Sequence, residues 1–340
     1  MFFRFFRGYS PLLTILLPLL TILLWINALL TPQAAYSIPF TVMPLSAPLF
    51  NIMAEHRWLS SILALVMILI QGYVLLLFER RFSLLPKRGF LPSFFFIILS
   101  CAIPSFQVLH PALIANFFLI AAMYRIFSSF KQMGLSYTFF DAALIISVGS
   151  LFYHGFLPLL LFLFVAHPAL RPFNMREWLF VIIGALVPYV FLFSWCFLTD
   201  RIEQITILAS VFGFTASTIA QIPLYFSAFF LFIALLTLFS IIYVLNKIGQ
   251  MKIQIRSYFV VLCWLVILLL IFFISFQSIG PEIMYLLFFP LSLLLSYYFY
   301  HFRVYWMGEL SIIVLFLFVF FFRFTAFFID LYNSVMSLWF

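Results

Sequence analysis

Apolar residues along this chain gather into long runs, and polar residues collect in the gaps between them. The runs fall at 10–30, 58–78, 91–109, 112–128, 138–153, 156–170, 178–198, 223–245, 257–275, 282–301 and 307–328. A run of about 20 apolar residues spans hydrocarbon as a helix. Backbone groups in lipid must bond within their own segment, so each run predicts a helix. The pattern predicts an all-α fold: a polytopic transmembrane helical bundle of about eleven spans, one integral membrane domain over 1–340. The runs 138–153 and 156–170 are short and meet at Tyr153, His154 and Gly155. They read as two upright helices or as one re-entrant hairpin. The gaps at 31–57 and 199–222 are too apolar for solvated loops, which predicts interfacial segments or segments folded back over the bundle.

Charge sets the orientation. With the N-terminus inside, one side holds Arg4, Arg7, Arg80, Arg81, Lys87, Arg88, Arg125, Lys131, Arg171, Arg176, Lys247, Lys252, Arg256 and Arg303. The other side holds Arg57, Arg201 and Arg323. The positive-inside rule therefore puts the N-terminus in the cytoplasm and the C-terminus outside a bacterial inner membrane. The first apolar run follows Arg4 and Arg7, is too long for a signal h-region and lacks a cleavage site, so it is expected to be retained.

Composition supports the lipid setting: 67% of residues are hydrophobic and 8% charged, against about 25% charged in a soluble domain. The net charge of +8 sits at span ends, so it does not point to nucleic acid. Phenylalanine, with 52 residues, suits lipid contact and interhelical packing. Cys101, Cys196 and Cys263 lie in apolar runs without CxxC spacing and read as small buried hydrophobes. No phosphate-binding loop, GxSxG or dinucleotide fingerprint occurs, and no cofactor is expected.

Ionisable residues inside a membrane need a reason. Asp141 lies near the start of its run and Arg125 ends the preceding one on the same side, which suggests an ion pair. In RPFNMREW, Arg171 and Arg176 read as headgroup anchors, Asn174 as a helix cap and Glu177 as a first-turn acid facing the helix dipole. The outer side is richer in polar groups: Glu55, His56, Arg57, Gln107, His110, Asn116, Tyr153, His154, Asp200, Arg201, Glu203, Gln277, Glu282 and Asp330. Five of nine acidic residues and three of five histidines face that way, so an outer cavity is favoured over an inner one. Glu55, Asp200 and His110 are the catalytic candidates, and Arg57, Arg201 and His154 the substrate-binding ones. His56, His110 and His154 lack the local spacing of a metal site, and no metal is assigned.

The opening MFFRFFRGYSPLLTILLPLL and the run from Phe139 to Phe191, carrying Asp141, Arg171, Pro172, Phe173, Asn174, Arg176, Glu177 and Trp178, resemble an uncharacterised family of Bacteroidetes-type multi-span inner-membrane proteins. That family implies no catalytic residue. In layout the chain is similar to polyprenyl-dependent glycosyltransferases of the GT-C type, which fold a long first outer loop over the bundle; 31–57 would be that loop. Those enzymes carry an acid early in the loop, whereas here Glu55 stands at its far end.

Three functions remain open. The sparse charge places first a structural or assembly component of an envelope complex, with a protein partner and no organised cavity. A GT-C-like transferase on a polyprenyl-linked envelope glycan precursor predicts convergence of the outer polar residues beside an opening to lipid. A transporter or flippase predicts a polar path through the bundle.

Overall fold

The structure is a computed structural model that describes residues 11–30, 43–87, 89–131, 137–200, 224–275, 281–301, 306 and 308–322. Among the described residues every regular element is helical. The helices are α1 (Pro11–Leu30), α2 (Ala47–Glu55), α3 (Arg57–Phe82), α4 (Leu91–Cys101), α5 (Pro111–Ser128) and α6 (Thr138–Ser150). After them come α7 (Leu159–Leu170), α8 (Met175–Leu198), α9 (Leu224–Lys247), α10 (Ile253–Ser275) and α11 (Met284–His301), then α12 (Gly308–Phe322). Among the described residues seven helical stretches are long and apolar enough to cross a membrane, and four apolar helices are shorter.

The shorter helices owe their limits to proline and to burial. The run 91–109 is broken by Pro104: Ile103 before it is extended, and a 3-10 turn follows at Pro104–Phe106. The runs 138–153 and 156–170 form two separate helices, α6 and α7, around a 3-10 turn at His154–Phe156. Thirteen residues make α6 only about 20 Å long, against about 30 Å of hydrocarbon. Its C-terminal turn sits beside the middle of α8, where Ser147 Oγ donates to the Ala185 carbonyl at 2.6 Å and Ser150 meets the Tyr189 hydroxyl at 2.5 Å. The connection 151–156 is nevertheless sheathed in protein, with Leu151, Tyr153 and Phe156 all buried. Non-helical backbone is tolerated at such depth only under that condition.

The centre of the bundle is α4 packed on α11. Every residue of α4 is buried, and nearly every residue of α11. Around them α3, α5, α9 and α10 form the next layer. The hairpin of α6 against α8 closes one side through Gly184, where a Cβ would stand 2.6 Å from the Phe140 carbonyl oxygen. The outward face of α8 is exposed over Phe191, Trp195 and Leu198, as suits a helix facing lipid.

The two ends of the bundle differ in kind. One end, the basic end, gathers the C-termini of α3, α5, α7, α9 and α11 with the N-termini of α6, α8 and α10. It carries Arg80, Arg81, Arg125, Arg171, Arg176, Lys247, Lys252 and Arg256. At the opposite end the Leu45 amide donates to the Leu151 carbonyl at 3.3 Å. That bond ties the segment leading into α2 over the α6–α7 connection, with Met43, Ser46 and Met53 turned inward and buried.

Candidate functional site

At the opposite end, polar side chains from four chain segments meet under cover. His110 lies just before Pro111, which disfavours helical backbone there, so His110 is extended and caps α5. Its Nδ1 accepts the Ala112 amide at 3.0 Å. The neutral ring therefore carries its proton on Nε2. Burial first, and then the nearby His154, lower the His110 pKa to about 3, so the ring stays neutral at physiological pH. It stacks on Tyr285 with centroids 6.0 Å apart and meets the edge of Tyr153 at 6.0 Å. The Tyr153 ring in turn lies 5.1 Å from His154. Glu282, in the 3-10 turn Pro281–Ile283 that leads into α11, is close enough to Tyr153 for the two groups to interact electrostatically.

Two of these groups are incompletely hydrogen-bonded. The Tyr153 hydroxyl and Glu282 Oε1 are buried and have no hydrogen-bond partner among the described residues. Less than two turns along α5 from His110, Asn116 donates to Gln71 Oε1 at 3.0 Å, while Asn116 Oδ1 is buried without a partner. Leaving a buried polar group unmade costs about 1–3 kcal/mol, and most such groups are satisfied. Three in one region call for an explanation beyond packing. An acid, a phenol and a neutral imidazole N–H form a set able to accept, donate and relay a proton.

The same end reaches toward lipid. Gln107 donates to the Leu24 carbonyl at 3.0 Å, and the Tyr285 hydroxyl donates to the Phe106 carbonyl. Leu24 lines an apolar cleft of about 580 Å³ between α1 and α12, walled also by Leu20, Asn27, Phe316 and Val319.

At the basic end a second buried cluster is fully paired. Glu177 Oε1 meets Arg171 at 3.0 Å, and Oε2 meets His167 Nε2 at 2.9 Å. Trp178 Nε1 donates to His167 Nδ1 at 3.4 Å, which leaves Nε2 as the proton-bearing atom facing Glu177. Asn174 caps α8 by accepting the Arg176 amide at 3.1 Å. Arg171 is thus buried in an ion pair, not held out as a headgroup anchor, because Glu177 offers it a charge inside the bundle. Arg176 is exposed at the same end. Arg125 pairs with Asp141, both partly exposed.

Among the described side chains the structure brings His110 and His154 together, while Arg57 and Asp200 are exposed. Asp200 is exposed and takes a left-handed backbone, φ 52°, just past the end of α8. Aspartate tolerates that conformation better than most residues, so Asp200 is explained as a helix stop. Arg57 is exposed at the first position of α3, Glu55 ends α2, and Arg201 lies outside the described residues. Glu282 and Tyr153 are the site members to which the sequence assigned no role. The available signal was the acid directly before α11, a run apolar on every face and therefore destined for the bundle centre. Among the described residues no three of His, Cys, Asp and Glu lie close enough to hold a metal ion.

Comparison with curated proteins and with solved structures gives no match. A family model does match, over residues 10–331, and by it the chain belongs to a family of unknown function, DUF6427.

Proposed function

We propose that this is an enzyme of the bacterial inner membrane that acts at the outer face on a polyprenyl-linked envelope precursor. In this reading the chain crosses the membrane eleven times, with its N-terminus in the cytoplasm and its C-terminus outside. The basic end then lies in the cytoplasm, as the positive-inside rule requires, and the His110 cluster lies toward the outer face. The four shorter helices complete the crossings together with the buried connections that extend them. The segments 31–57 and 199–222 lie at the outer interface.

The observation that carries the reading is the buried, under-bonded pair of Tyr153 and Glu282 beside His110, with the Asn116 oxygen further along α5. An assembly component needs no such pair, and each unmet group costs about 1–3 kcal/mol until a partner satisfies it. A ligand with hydroxyl or phosphate oxygens supplies the missing partners. The α1–α12 cleft suits an isoprenoid tail, since it is apolar and borders Leu24. Glu282 then takes the place of Glu55 and Asp200 as the base, and His110 Nε2–H serves as a neutral donor to the substrate.

Native mass spectrometry of the protein taken gently from its own membrane tests this. The expected result is a bound polyprenyl-linked species that is retained in Glu282→Gln but no longer turned over in cells. A stoichiometric protein partner with only ordinary phospholipid, and unchanged envelope glycolipids in Glu282→Gln and Tyr153→Phe, would return the protein to the assembly role.

A further inference from the structure

A groove of about 1020 Å³ opens at the basic end between the loop after α3 and the ends of α9, α10 and α11. It lies at the opposite end of the bundle from the His110 cluster. Among the described residues its lining includes Lys247, Lys252 and His301, and no carboxylate. Lys247 Nζ donates to Gln250 Oε1 at 2.9 Å, which holds the ammonium at the rim. His301 Nδ1 donates to the Tyr297 carbonyl at 3.1 Å, which leaves Nε2 of the neutral ring as an acceptor for a headgroup hydroxyl, not a donor to phosphate. Tyr243, Tyr297 and Tyr298 add hydroxyls to the wall, and the Tyr297 and His301 rings pack at 4.3 Å. The lining also carries the apolar side chains of Leu84, Leu85, Met251 and Ile255.

We propose that this groove binds the phosphate headgroup of an anionic phospholipid. Cations and phenol hydroxyls suit phosphate oxygens, and the absence of a lining carboxylate removes any competing charge. The apolar side chains of the lining distinguish a lipid from free phosphate, because they accommodate the first methylenes of an acyl chain, which a soluble ion lacks. Basic pockets between membrane helices on the cytoplasmic side are suited to such headgroups.

Full-length protein in neutral detergent, titrated by native mass spectrometry with phosphatidylglycerol and with phosphatidylcholine, tests the proposal. The expected result is preferential binding of phosphatidylglycerol, weakened about five-fold by Lys247→Gln or Lys252→Gln and about thirty-fold by both. Ile255→Trp adds bulk to the groove lining without changing charge and is expected to weaken binding as well. Arg176→Gln, exposed on another helix, is expected to leave it within two-fold. Each variant is first required to elute as a single species, and Ile255→Trp carries the test if the double lysine variant does not fold. Equal binding of the two lipids, or binding unchanged by both the lysine and tryptophan variants, would overturn the proposal. Displacement of phosphatidylglycerol by millimolar inorganic phosphate would overturn the lipid assignment in favour of a soluble anion.

Discussion

The buried network at the basic end gives the sharpest stability prediction. Glu177 is 1% exposed and holds Arg171 at 3.0 Å and His167 at 2.9 Å, one on each oxygen. Both partners are donors. In Glu177→Gln one side of the amide is an N–H₂, so whichever way it turns, a donor faces a donor. The Arg171 guanidinium also loses its counter-charge in a site where the side chain is 6% exposed. At 3.0 Å and an effective dielectric near 20, the lost attraction is about 5 kcal/mol. Desolvation of the pair offsets part of this, and removing one partner of a buried pair costs about 3–5 kcal/mol in practice.

In a chain this long, each kcal/mol moves the midpoint by about 2 °C, so Glu177→Gln is expected to melt about 6–10 °C lower. Arg171→Met, which strands the carboxylate, is expected to do the same. The double variant Arg171→Met/Glu177→Gln is expected to fall no further than either single one, since the remaining amide can turn its oxygen to His167 and no charge stays buried. The assay is thermal unfolding of the detergent-purified protein followed by size-exclusion fluorescence. Single shifts under 2 °C, or a double shift equal to their sum, would refute the charge-balanced reading.

Three further outcomes follow from the same geometry. His110 has a folded-state pKa of about 3, against about 6.5 unfolded, so between these values the unfolded chain binds the extra proton. Its contribution is intact above pH 6.5 and is lost as pH falls below that, by ~2 kcal/mol at pH 5. His110→Asn keeps a capping oxygen and is expected to flatten the fall in melting temperature between pH 7 and pH 5; an unchanged slope would remove His110 as its source. Gly184→Leu places carbon where the Phe140 carbonyl stands and should destabilise by about 1–3 kcal/mol or more, read in the same melting assay. Asp200→Asn, exposed and tolerant of the left-handed backbone, is expected to leave stability within about 0.5 kcal/mol and envelope glycolipids unchanged; a loss of glycolipid would restore Asp200 to the site.

Helix positions were legible because apolar runs in lipid have no alternative to helix. The runs at 178–198 and 257–275 become Met175–Leu198 and Ile253–Ser275, extended mainly into polar residues at the basic end. The run 91–109, expected as one helix, ends at Cys101 ahead of Pro104, a break that the apolar pattern alone does not carry. The site was less legible for a physical reason. Charge at a helix end shows that a residue is near an interface, but not which helix ends touch. Tyr285 reaches the Phe106 carbonyl and Gln107 reaches Leu24 across large separations in sequence. Only the packing of α11 through the bundle centre makes Glu282 a neighbour of Tyr153. Arg171 was misread in the same way, since Glu177 follows it in sequence but pairs with it and with His167 only once α7 and α8 turn back on each other.

The interior between the two ends argues for chemistry at one face over passage through the bundle. Below Asn116 and Gln71 the described core is aromatic. Phe78 contacts Phe82, Phe127 and Phe289 with centroids 4.9–5.4 Å apart, and Phe127 stacks on Tyr258 at 4.2 Å. The Tyr258 hydroxyl is turned to the Phe127 carbonyl at the basic end. A solute crossing here would have to part rings that hold one another, and it would meet few polar groups to replace its hydration. A flippase needs the polar path that this layer interrupts. An enzyme with its substrate tail in the α1–α12 cleft needs only an impermeable floor beneath its polar cluster, and the close-packed rings of α3, α5, α10 and α11 provide one.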